Sequence, residues 1–211
     1  AISTEHIERV VFENVVEELL EIPGVSGYES VIRNHVMKKL AELTDEMTVD
    51  DYGNILAEVT FGKGSREPSL TIMLNGHLDV VDEIDVGREI LKCGPVWISS
   101  TGILGADDRA GIGVILHTLK QLQRMEFRAP VKVKIAFTVE EEIGLCGARA
   151  VSAEFLEDVQ AAFVVDRKGR GDIVTGTRGI DFCDELFGAM LALIGNLGDD
   201  ENRWEPTLGG S

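Results

Sequence analysis

The chain has 211 residues, enough for one large domain or two small ones with a sizeable core. Apolar residues at 44%, charged residues at 27% and only 5 prolines are globular proportions, which exclude a wholly disordered chain and a fibre. Acidic residues number 37 against 20 basic ones, a net charge of -17 with no Lys/Arg cluster, so a nucleic-acid backbone would be repelled.

From Ile7 to Leu20 the apolar residues Ile7, Val10, Val11, Val15, Leu19 and Leu20 recur at three- and four-residue steps, which predicts an amphipathic helix stopped by Pro23 and Gly24. Ser26 with Glu29 three residues later has the spacing of a capping box for a second helix with an apolar face of Val31, Ile32, Val36, Leu40 and Leu43. Strand character follows over Ile55 to Phe61, Leu70 to Leu74, Val131 to Phe137 and Ala161 to Val165. Between the second and third of these, Ile112, Ile115, Leu116, Leu119 and Leu122 share one helical face. Alternating strands and helices, with continuous apolar strands such as AAFVV, predict an α/β sheet covered by helices on both faces. No repeat, low-complexity segment or linker marks a domain boundary.

The most apolar run, around Ala189 to Ile194, is far too short to span a membrane, and the polar, acidic opening stretch lacks the features of a signal peptide. Cys93, Cys146 and Cys183 are odd in number and widely spaced, without a C-x-x-C pair, so a reducing cytoplasm is the expected compartment. Excess acid suits a protein that collects divalent cations and equally one that needs only solubility.

Four segments at the ends of apolar runs carry the candidate chemistry, because ligands of open α/β sheets gather beyond the carboxyl ends of strands. In NGHLDVV, His77 and Asp79 are two apart, so one imidazole nitrogen can meet the carboxylate while the other faces a metal; alone, such a pair is also a common surface feature. In GADDRAG, Asp107 and Asp108 open the long helix, where one aspartate serves as a cap and two exceed that need. In FTVEEEIG, the run Glu140, Glu141, Glu142 leaves a buried strand, where like charges need a cation to coexist, although a solvated helix start would also tolerate them. In AFVVDRKG, Asp166 ends an apolar strand and could instead pair with Arg167 or Lys168. Together they form a nitrogen and oxygen donor set suited to zinc or manganese. No P-loop, G-x-S-x-G elbow or G-x-G-x-x-G competes, and His6, His35 and His117 fall on predicted helices as surface or packing residues.

From the SGYE segment through DDYGNIL, GHLDVV, GADDRAG, FTVEEEIG and VVDRKG, the chain resembles the co-catalytic dinuclear zinc exopeptidases, the clan of leucyl aminopeptidase, glutamyl aminopeptidase and tripeptidase. The resemblance implies a three-layer α/β/α fold with a central mixed, mainly parallel sheet. It also implies two divalent ions, zinc first, with manganese or cobalt as alternatives. His77, Asp107 and Asp166 would hold one ion, and Asp107 and Glu142 the second. Glu141 would be the general base, Asp79 the residue that orients His77, and the Asp107–Asp108 peptide would be cis; Glu140 would be a bystander. The implied activity is removal of N-terminal residues from peptides, with related carboxypeptidases, N-acyl amino acid deacylases and an inactive metal- or peptide-binding domain as alternatives. Expected partners are a peptide or acyl-amino-acid substrate, not nucleic acid or membrane, with a homo-oligomer left open.

The family's second metal takes a further histidine near the C-terminus, and no histidine follows His117 here. The expectation is therefore a single catalytic domain over 1–211 that lacks its C-terminal part, with too few residues after Asp166 for an inserted lid. Arg178 in GTRG is a candidate partner for a substrate carboxylate or an ordinary loop arginine.

Overall fold

The structure, a computed structural model, describes residues 3–62, 68, 70–127 and 129–166. The Ala189 to Ile194 run, Cys183, Arg167, Lys168 and Arg178 lie outside the described residues. In chain order come α1 (Thr4–Leu20), α2 (Ser30–Leu40), β1 (Glu46–Val49), β2 (Ile55–Phe61), β3 (Leu70–His77), β4 (Ile90–Cys93), β5 (Val96–Ser99), α3 (Ala106–Leu122), β6 (Val131–Thr138), α4 (Cys146–Ala150), α5 (Ala153–Leu156) and β7 (Ala161–Val164). No helix among the described residues is long and apolar enough to cross a membrane.

The four anticipated strands, β2, β3, β6 and β7, join β1, which was not anticipated, in one five-stranded mixed sheet of order β1-β2-β6-β3-β7. β6, β3 and β7 run parallel, whereas β1 and β2 pair antiparallel at one edge. Register decides what the sheet can present. His77 lies opposite Thr138 and Asn75 opposite Val164, so the chain leaves β3, β6 and β7 at the same edge. Because β2 is antiparallel to β6, with Ile55 opposite Phe137, residues just before β2 arrive at that edge too.

Helices cover both faces. Val133, Ile135 and Phe137 of β6 join Ile55, Ala57 and Val59 of β2 in one core with Leu19, Ile32, Val36, Leu40, Ile112, Ile115, Leu116 and Leu119 from α1, α2 and α3. The intervening Lys134 points the other way: its Nζ donates to Phe155 O at 2.7 Å and to the Asp158 carboxylate, which ties α5 and the turn after it to the second face. The two lysines Lys132 and Lys134 hold the Asp158 carboxyl down at about 2. Ile135 is fully buried in the core, so Ile135→Ala should lower unfolding free energy by about 2–5 kcal/mol, read as a lower urea midpoint at constant slope.

Several local expectations are overridden by tertiary contacts. The Ser26–Glu29 capping box does not form: Glu29 is itself the N-cap of α2 and makes no side-chain cap bond. Ser26 donates its hydroxyl to Asp79 Oδ2 instead (2.6 Å), because the parallel bridge between Val25 and Val80 brings the two loops together. Val31, Ile7, Val10 and Val11 are exposed rather than buried, and α1 meets the core through Val16, Leu19 and Leu20. His117 packs edge-on to Phe12 at 5.6 Å, a packing role as expected.

Candidate metal centre

β3, β6 and β7 deliver their loops side by side, and the anticipated residues meet there. His77 closes β3 and is 2% exposed. Its Nδ1 lies 3.0 Å from the Asp79 carbonyl and 3.3 Å from Asp79 Oδ1, while its Nε2 lies 3.2 Å from Asp107 Oδ1 and 3.8 Å from Glu141 Oε2. The ring is thus held on one side and faces carboxylates on the other. Burial alone would lower the His77 pKa, but the Asp79 hydrogen bond and the charges of Asp108, Asp79 and Glu141 push it up to about 9.

Asp79 is fully buried, yet its carboxyl lies well below the usual range. Burial would raise it, but bonds from His77, the Ser26 hydroxyl and the backbone N–H groups of Glu141 and Glu142 (2.9 and 3.1 Å) favour the charged form. Asp79 therefore spans both loops, orienting the imidazole and fixing the backbone of the glutamate pair.

The peptide between Asp107 and Asp108 is cis, and both residues depart from helical backbone angles at the start of α3, after Gly105 in the left-handed region. The two aspartates separate in role. Asp107 faces His77 Nε2, whereas Asp108 turns inward and accepts from the His77 N–H at 3.2 Å and the Gly111 N–H at 3.1 Å. The space is tight: a Cβ at Gly76 would fall 2.6 Å from Asp108 Oδ2, and one at Gly111 would collide with the same carboxylate and the Val165 carbonyl. Burial, opposed by His77 and reinforced by Asp166, pushes the Asp108 carboxyl up to about 8.

Two groups of side chains have donor atoms within 4.8 Å of one another: His77 with Asp107 and Asp166, and His77 with Glu141 and Glu142. The first contains the three residues anticipated for one ion. The second holds Glu141 beside Glu142 where Asp107 and Glu142 were anticipated for the other ion, although the Asp107 charge does act on Glu142. Burial and then neighbouring acids raise the carboxyls of Glu141, Glu142 and Asp166. A divalent cation fits this set: all donors are nitrogen or oxygen, and it would relieve that acid-on-acid repulsion.

Four residues around the centre were not anticipated. Arg109 is fully buried behind Asp79, Glu29 and Asp108, with its guanidinium on the Leu78 and Ile22 carbonyls; burial lowers its pKa to about 10. Asn54, also fully buried, accepts the Val139 N–H at 3.1 Å. Glu29 accepts the Glu140 N–H, and Tyr52 donates its hydroxyl to Glu140 Oε2 at 2.6 Å, so Glu140, which belongs to neither donor group, is nonetheless tied into the turn. A signal existed for two of them: Glu29 and Arg109 continue the apolar stripes Ile32–Val36–Leu40 and Ile112–Leu116–Leu119, where a charge needs a buried partner.

Comparison with known proteins agrees with this architecture. The model of peptidase family M28 matches residues 54–182. Peptidase T of Geobacillus thermodenitrificans is 26% identical over 184 residues, covering 72% of this chain and 44% of the relative. Carboxypeptidase G2 of a Pseudomonas strain is 29% identical over 135 residues, covering 62% and 32%. Among solved structures, a tripeptidase from Staphylococcus aureus superposes with a TM-score of 0.63 at 28% identity, covering 75% of this chain and 43% of that one. The chain spans less than half the length of each of these three relatives.

Proposed function

The chain belongs to peptidase family M28, and from that premise we propose that it is the metal-holding part of an aminopeptidase that removes N-terminal residues from peptides. The observation that carries this reading is the convergence of His77, Asp107, Glu141, Glu142 and Asp166 at one edge of the sheet. His77, Asp107 and Asp166 would hold one divalent ion, and Asp107 with Glu142 a second. Bound there, zinc or a similar ion would supply Lewis acidity toward water and the substrate carbonyl.

The remaining work falls to this chain's own side chains. Glu141 accepts a proton from the water that adds to the scissile carbonyl carbon, and returns it to the departing amine as the C–N bond breaks. Its backbone N–H on Asp79 keeps the carboxylate beside His77. Asp79 keeps the His77 ring turned so that Nε2 faces the acid cluster.

The likeness to carboxypeptidase G2 favours one rival, a carboxypeptidase or deacylase using the same residues. Hydrolysis of free-amine peptides against their N-acetylated counterparts, with and without chelator, separates the two. The expected result is chelator-sensitive release of N-terminal residues from free-amine peptides only. Preference for the acetylated set would favour the rival, and chelator-insensitive hydrolysis would reject both.

A further inference from the structure

The segment that carries Glu141 and Glu142 is anchored in an unusual way. Four successive backbone N–H groups leaving β6 are each received by a side-chain oxygen from elsewhere in the fold: Val139 by Asn54, Glu140 by Glu29, and Glu141 and Glu142 by Asp79. Bonds of this kind stand in for the sheet ladder that ends at Thr138. Of the four residues, Glu140 has the least favourable backbone, with φ of +52°, in the left-handed region that non-glycine residues seldom adopt. Something must hold it there.

Glu29 is placed to do so. Its carboxylate is 4% exposed, and Oε1 receives both the Gly27 N–H at 2.9 Å and the Glu140 N–H at 3.0 Å. It therefore clamps the loop before α2 to the turn after β6. Resting on the reading of Glu141 as base and Glu142 as ligand, we infer that Glu29 is a positioning residue: by accepting the Glu140 N–H it fixes the left-handed turn that aims the next two side chains. The Glu140 carboxylate, held by the Tyr52 hydroxyl, is the second support of the same turn.

A different role is conceivable for a buried acid near Arg109, namely charge balance alone. Two substitutions separate these roles. Glu29→Gln keeps an acceptor oxygen at the same reach and removes the charge; Glu29→Asp keeps the charge and withdraws the oxygen by one methylene. Peptide-resolved amide hydrogen exchange over residues 139–142 is measured without added metal, so it does not depend on peptidase activity. The inference predicts wild-type exchange in Glu29→Gln, and exchange faster by about tenfold or more in Glu29→Asp, confined to residues 139–142 and the loop at Gly27. In the zinc-loaded protein, kcat should be within about threefold of wild type for Glu29→Gln and down by about tenfold or more for Glu29→Asp, with KM and bound zinc unchanged. The reverse order, unaltered exchange in Glu29→Asp, an increase spread evenly over β6, or failure of Glu29→Gln to fold would each overturn it. If the wild-type protein cleaves no peptide, the proposed function fails while the exchange result still decides whether Glu29 holds the turn.

Discussion

Glu141→Gln should lower kcat by a factor of roughly 10²–10⁴ with little change in KM, because the amide has the same shape and cannot receive a proton. The backbone N–H of residue 141 would still reach Asp79, so the turn should stay in place. His77, Asp107 and Asp166 form a donor group that does not include Glu141, so metal content measured by mass spectrometry should match wild type. Activity above a tenth of wild type would remove Glu141 from the role of base. Loss of bound metal would instead assign it as a ligand, as its place beside His77 and Glu142 also allows.

Arg109→Met should be the most destabilising single change near the centre. The guanidinium is fully buried, bonds the Leu78 and Ile22 carbonyls, and stands opposite Asp79, Glu29 and Asp108. Methionine fills much of the volume but takes the guanidinium charge from the buried carboxylates of Asp79 and Glu29 and the donor from the Leu78 and Ile22 carbonyls. Removing one side of such a buried charge set costs about 3–5 kcal/mol. Arg109→Lys should recover part of this, since an ammonium restores charge without the planar fork that reaches two carbonyls. Urea unfolding of the three proteins without added metal tests both statements. A loss below about 1 kcal/mol for Arg109→Met would mean that the acids are compensated elsewhere.

The legible parts of the chain are those whose side chains face one kind of environment. Ile55–Phe61 and the stripe of Ile112, Ile115, Leu116 and Leu119 are buried as read, because apolar periodicity and burial coincide there. β1 carries no such signal, since Glu46, Thr48 and Val49 are exposed at the edge of the sheet. The β4–β5 hairpin is exposed along most of β4 and half of β5, so burial imposes no clear apolar alternation on it, and the Gly94-Pro95 pair marks its turn. Ser26 and Glu29 have helix-cap spacing, but Asp79 and Glu140 lie within reach once Val25 and Val80 pair, and a contact made across the fold cannot be read from local spacing. The same limit hid Asn54, whose partners Val139 and Gly147 lie more than 80 residues further along the chain. Of the candidate donors, His77, Glu141, Glu142 and Asp166 lie at or just beyond the ends of β3, β6 and β7, where the apolar runs stop, whereas Asp107 opens α3, and the division between Asp107, facing outward, and Asp108, turned inward, depends on the backbone.

The central claim is that distant parts of the chain build one divalent-metal centre. Zinc-edge anomalous diffraction from crystals of the protein grown with zinc tests it directly. The expected result is an anomalous peak flanked by His77 Nε2 and the carboxylates of Asp107 and Asp166, absent from crystals of His77→Ala. Crystals in which those three side chains flank no peak at millimolar zinc, or in which the peak survives His77→Ala, would contradict it.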